Sequence, residues 1–181
     1  MTRTLTALFL LTAALCSAAV VTMRTTSDCE ESALGTAANV SYDAAKRAVA
    51  KPPILPESVT DPLFGNPFNM SEAIRRLGFH PITRTQTDIL SGKAKAGKTV
   101  VLLRASTLQQ HWVCLESVTA THVSFHWGDG TIKRFTHEAF KRVFGPTEAL
   151  KFSFNAAFEV GPRFRVSLVQ RFLNFFKRLF R

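Results

Sequence analysis

Residues 99–135 read TVVLLR ASTLQQ HWVCLESV TA THVSFHW GDG TIKRF, and the fold turns on this stretch. Thr99 to Arg104 is a run of β-branched and aliphatic side chains. It is long enough for a strand buried on both faces and too short for a core helix. His111 to Val118 and Thr121 to Trp127 are two more strands, separated only by Thr119 and Ala120, which is the length of a tight hairpin. Gly128-Asp129-Gly130 is turn chemistry, and Thr131 to Phe135 returns as a fourth strand. Strands joined this closely pair antiparallel.

The flanking segments read as helices. Asp28 precedes Cys29 to Ala38 (CEESALGTAA), and Glu31 follows it by three residues, the spacing of a capping box. Ser41 caps a second helix, Tyr42 to Ala50, which Pro52-Pro53 ends. Residues 51 to 68 hold five prolines and form an irregular crossing. Ser71 starts a short helix, EAIRRL, closed by Gly78, and Ile82 to Thr85 reads as a strand. Beyond the sheet, Thr136 caps HEAFKRVF, and Ala149 to Val160 alternates as a last strand. Helices followed by a largely antiparallel sheet make an α+β plan.

The chain has 181 residues, which suits one domain with appendages. Its net charge is +10, but residues 161 to 181 alone carry six cations and no acid. The rest holds 17 basic against 13 acidic residues, so the excess belongs to the tail and argues against a nucleic-acid-binding body. Residues 1–23 form a targeting segment: Arg3, then an uncharged run to Met23 with small residues at Cys16 to Ala19. A secretory signal cut near Ala18 or Ala19 fits best, with an uncleaved membrane anchor as the alternative. Either puts residues 24–160, the domain, outside the cytosol. Residues 161–181 read as a basic amphipathic helix. Phe172, Phe176 and Phe180 lie on one face and Lys177, Arg178 and Arg181 mainly on the other, the pattern of a helix lying on an anionic membrane surface. Docking of that helix on its own domain or on a partner is the alternative.

A cysteine in the first turn of a helix is placed where the helix N-terminus favours thiolate, so Cys29 is the candidate nucleophile. His111 opens a strand after a loop and is the candidate base. A hairpin centred on Ala120 sets residue 129 opposite residue 111, which makes Asp129 the candidate acceptor that orients the imidazole. The alternatives are a Cys29–Cys114 disulfide, a sheet-edge histidine and a plain turn aspartate. His111, Cys114, His122 and His126 show no metal-ligand spacing, and no cofactor is implied.

Asp28-Cys29-Glu30-Glu31-Ser32-Ala33-Leu34 followed by Val40-Ser41-Tyr42-Asp43 resembles the Cys-helix start of papain-like cysteine peptidases. The likeness is closest to the bacteriocin-leader (double-glycine) processing peptidases. Thr99 to Arg104 with His111-Trp112-Val113, and Val123 to Gly130 with Phe140, resemble the later motifs of that family. The resemblance covers residues 24 to 145. It implies a papain-like fold and cleavage of a peptide or protein substrate by Cys29, His111 and Asp129. The chain departs from the family in three ways. Glu30 follows the cysteine where the family has glycine. Trp127 or His126 competes with Asp129 for the acidic position. No glutamine precedes Cys29, so Thr25, Thr26 or a main-chain N–H would have to serve as oxyanion donor. An inactive papain-like module that binds a peptide or protein partner is the alternative reading.

Overall fold

The computed structural model describes residues 19–25, 28–50, 67–104, 110–145 and 156–164. In chain order the elements are α1 (Cys29–Ala38), α2 (Tyr42–Val49), α3 (Pro67–Arg76), β1 (Phe79–Thr83), α4 (Gln86–Leu90), β2 (Thr99–Arg104), β3 (Gln110–Val118), β4 (His122–His126), β5 (Ile132–Thr136), α5 (His137–Val143) and β6 (Ala157–Arg163). Six strands form one antiparallel sheet in the order β1-β6-β2-β3-β4-β5. The protein is therefore α+β, as the pattern of strands and helices predicts.

Helices cover both faces of the sheet, which is why β2 reads as a continuous apolar run. On one face α1, α2 and α3 pack Leu34, Ala37, Ala45, Met70 and Ile74 against Val100, Leu102, Trp112, Cys114 and Phe158. On the other, Ile89 of α4 and Phe140 of α5 pack against Val101, Leu103, Val113, Leu115 and Phe125. Each fully buried Leu, Ile or Phe contributes roughly 1.5–3 kcal/mol.

The helix starts are only partly as predicted. Ser41 Oγ accepts the Ala44 N–H, and Thr136 Oγ1 accepts the Ala139 N–H. Asp28, however, makes no side-chain cap bond to α1. Its Oδ2 instead accepts the Tyr42 hydroxyl and the Thr25 N–H, so the capping box at Asp28 is not formed. A box does form at α4, where Thr85 and Asp88 cap each other. The Cys29–Cys114 disulfide is also absent: both thiols are free, Cys114 buried in the sheet core and Cys29 at its rim.

Residues 21–23 and 161–164 are bonded to the body. Val21 N–H donates to Thr36 Oγ1, Ser32 Oγ donates to Val21 O, and Met23 N–H donates to Gly128 O at 2.7 Å. Residues 21–23 thus lie along α1 as part of the body. At the far end β6 continues to Arg163, and the Phe164 N–H donates to Gly78 O. Among the described residues no helix is long and apolar enough to cross a membrane. Residues 1–18, and the tail residues Phe172, Phe176, Lys177, Arg178, Phe180 and Arg181, lie outside the described residues.

Candidate active site

The site lies where α1 begins and β3 has not yet met β4. Cys114 pairs with His126 and Leu115 with Phe125, while Ser117 pairs with Ser124 and Val118 with Val123. The extra residue in β3 between these sets is Glu116, a bulge that shifts the register by one. On the site side of the bulge, the register extrapolates to Trp112 opposite Gly128 and His111 opposite Asp129, the placement the hairpin spacing predicts. The ladder does not reach them. Gly128 O is taken by Met23. The Trp112 main-chain N–H is directed at the Cys29 thiol instead.

Cys29 is half-buried and its acidity is weak. Burial pushes its pKa up to about 11, with Glu30 and Glu31 adding to the rise and the Trp112 N–H opposing it. Glu30 is itself shifted. Burial, reinforced by Glu31, raises it to about 7, and the indole N–H of Trp112 works in the opposite direction. That indole nitrogen is buried and turned toward the Glu30 carboxyl, outside good hydrogen-bonding geometry and without another partner. Trp112 therefore faces both the sulfur, through its backbone, and the Glu30 carboxyl, through its side chain. Glu31 is also raised, mainly by burial.

His111 pairs with Leu103 on β2, and the pleat aims its ring toward the face of Val113 and Leu115. Its Nε2 lies 2.8 Å from Trp127 O, and its ring stacks at 4.5 Å on the Trp127 indole. A carbonyl only accepts, so Nε2 carries the proton, and in the neutral ring Nδ1 keeps its lone pair. Burial lowers the His111 pKa, and Lys133 adds to that, against the Trp127 bond and Asp129. Lys133 Nζ sits 4.0 Å from the Trp127 ring centroid. At neutral pH Cys29 is thus a protonated thiol and His111 a neutral imidazole in one tautomer, and the two lie on opposite faces of the sheet, Cys29 with α1 and His111 with Trp127.

Asp129 is close enough to His111 to raise its pKa, but its hydrogen bonds go elsewhere. Its Oδ1 accepts the Thr131 N–H at 2.8 Å and the Thr131 hydroxyl at 2.6 Å, a local turn contact. The acceptor on the imidazole is a backbone carbonyl, which no side-chain pattern in the sequence could mark. Of the oxyanion candidates, Thr25 spends its N–H on Asp28 Oδ2 at 3.0 Å, and Thr26 lies outside the described residues. Glu30 and Trp112 are neighbours of Cys29 that pattern reading did not single out as functional candidates. The signal for Glu30 was its adjacency to Cys29, which reads only as added negative charge until its burial is known.

Among the described residues no cluster of three or more His, Cys, Asp or Glu side chains is arranged to hold a metal ion. No protein-family model matches the chain, and no curated protein matches it.

Proposed function

We propose that the protein is a papain-like cysteine peptidase in which Cys29 attacks a peptide carbonyl and His111 shuttles the proton. The Trp127 carbonyl, rather than Asp129, holds the imidazole in its useful tautomer. The observation that carries this reading is the pairing at the start of β3. The Trp112 N–H lies at the Cys29 sulfur, and the adjacent His111 keeps its Nδ1 clear of the Trp127 bond but on the sheet face opposite the one that α1 covers, so proton transfer needs this strand end to rearrange. With the thiol pushed up to about 11, the ground state is a neutral pair, and deprotonation accompanies attack. The sequence pattern of the N-terminus and the tail extends the proposal to an exported or membrane-anchored domain with its cationic end on an anionic surface.

A second reading has an observation of its own. No carboxylate bonds to His111, and the thiol is deactivated, as expected of a papain-like module that binds a peptide or protein partner without cleaving it. p-Nitrophenyl acetate separates the two. Catalysis predicts a burst of nitrophenolate and one acetyl group on Cys29 by intact mass, slowed at least ~100-fold in His111→Ala. Acetylation that is indifferent to His111 rejects the peptidase reading and leaves the binding module. Liposome flotation with and without residues 163–181 tests the membrane claim, which identical flotation removes.

A further inference from the structure

We propose that the free edge of β5 is a docking site for an extended acidic segment of a partner protein, which adds to the sheet as a further strand beside Ile132 and Arg134. The inference does not depend on whether Cys29 turns over a substrate.

The sheet ends at β1 on one side and at β5 on the other. The β1 edge is blunted, since Pro81 lacks an N–H and the register breaks between Phe79 and Pro81. β5 has neither device and pairs with β4 without a break, from His122 opposite Thr136 to His126 opposite Ile132. Two bonds fix which of its main-chain groups face outward. The Trp127 N–H donates to Thr131 O, and the His137 N–H donates to Thr121 O. Bonded and non-bonded pairs alternate in an antiparallel ladder, so Lys133 and Phe135 also turn their main-chain groups toward β4. The N–H and C=O of Ile132 and Arg134 therefore point away from the sheet, and among the described residues no hydrogen bond reaches them. The side chains of Ile132, Lys133 and Arg134 are exposed, Ile132 by 54%.

The charges choose the occupant. Lys133 reaches over the Trp127 indole at 4.0 Å, on the same face as Phe135, and Arg134 shares the other face with Ile132. Among the described residues neither cation forms an ion pair with a carboxylate. The acids nearby are engaged: Asp129 with Thr131, Glu138 with Lys141 and Glu116 with His126. A second copy does not suit this edge. Paired antiparallel about residue 133, about residue 134 or between them, two β5 strands set one cation opposite another, which is destabilising. A strand with acidic side chains opposite Lys133 and Arg134 and an apolar one opposite Ile132 complements both faces. Main-chain bonds then supply the affinity and the carboxylates the selectivity.

The test uses the full chain and a fluorescein-labelled, capped peptide with the core Thr-Glu-Glu-Val-Thr, read by fluorescence anisotropy. Run antiparallel to β5, its two glutamates meet Arg134 and Lys133 and its valine meets Ile132. Saturable binding is expected. It should weaken at least ~10-fold when the first glutamate and the valine are N-methylated, because those two amides face β5 and the charge is unchanged. Lys133→Glu combined with Arg134→Glu should weaken it at least ~10-fold as well. The six cations of residues 161–181 are untouched by that change, so the loss reports on β5. Ile132→Pro removes one outward N–H, keeps every charge and should also weaken binding, with circular dichroism as the check on its fold. The N-methylated peptide needs no variant and decides the matter if Ile132→Pro does not fold. Equal affinity for the N-methylated peptide, unchanged binding to the charge-reversed protein, or no saturable binding overturns the proposal. So does a dimer in sedimentation velocity that Ile132→Pro dissolves, which would assign the edge to a second copy.

Discussion

His111 Nε2 is bound to the backbone carbonyl of Trp127 at 2.8 Å, and the nearest carboxylate in the turn, Asp129, is bound to Thr131 instead. A main-chain acceptor fixes the tautomer but brings no charge to stabilise an imidazolium. Asp129→Ala should therefore lower His111-dependent acetylation of Cys29 by less than tenfold. Removal of an orienting aspartate from a working triad costs about 10⁴-fold. The same substitution loses the two turn bonds, so the melting temperature should drop by the equivalent of ~1 kcal/mol. A loss of activity beyond 100-fold at unchanged fold would restore Asp129 to the imidazole.

Iodoacetamide should distinguish the two free thiols by their environments. Cys29, raised by burial to about 11, should react at pH 7 roughly 100-fold more slowly than a free cysteine. Cys114, raised by burial to about 12 and fully buried, should react more slowly still. In guanidinium chloride the difference should vanish. Because no bond links the two sulfurs, dithiothreitol should leave thermal stability unchanged, and a reductant-dependent shift would show the free-thiol arrangement to be wrong.

Glu30 also makes stability depend on pH. Its ordinary value of 4.5 is raised to about 7 in the fold, so between these values the native state holds more protons than the unfolded chain. The sign is fixed: stability is highest below 4.5 and declines as pH rises through about 7. His111, lowered by burial, opposes this on the acid side, since the unfolded chain binds its proton first. Urea unfolding should show Glu30→Gln more stable than the parent at pH 8, by on the order of 1–3 kcal/mol, and nearly equal to it at pH 4. Equal stability at both pH values would mean that the carboxyl is solvated.

Glu159 on β6 is 1% exposed, and its Oε2 meets Arg84 Nη2 at 2.6 Å and Nε at 2.8 Å, while Oε1 lies 3.6 Å from Lys95 Nζ. Glu159→Ala should cost about 3–5 kcal/mol, because it leaves the Arg84 guanidinium unpaired and only 13% exposed. Replacing both members with Met should recover most of that loss. If the double variant is no better than the single, the pair itself is the stabilising unit.

The strands were legible because β2 and β3 carry β-branched and apolar runs between turn residues. Thr99–Arg104 matches its predicted bounds, and β3 to β5 differ by a residue at their ends. The short helix Gln86–Leu90 escaped because five residues show no period, and β1 begins at Phe79, three residues before the predicted start, since a proline at position 81 masks an edge strand. The Asp28 cap failed because a distant tyrosine, Tyr42, competes for the same carboxylate. Cys29 does open α1 and His111 does lie at the start of β3, as their positions in the sequence predict, but the pleat that turns them to opposite faces is not legible from spacing. Trp127 as imidazole acceptor was beyond reach, since the atom involved belongs to the backbone.

The bonds at residues 21 and 164 pin the first and last described segments to the body. Val21 lies beside Gly35 and Thr36, about two helical turns along α1 from Cys29. Phe164 follows the end of β6, which runs beyond the Thr99 end of β2, while His111 lies at the Arg104 end. Val21 and Phe164 therefore both lie away from the Cys29 thiol. A ligand approaching the Cys29 end of α1 therefore meets neither of these two pinned segments.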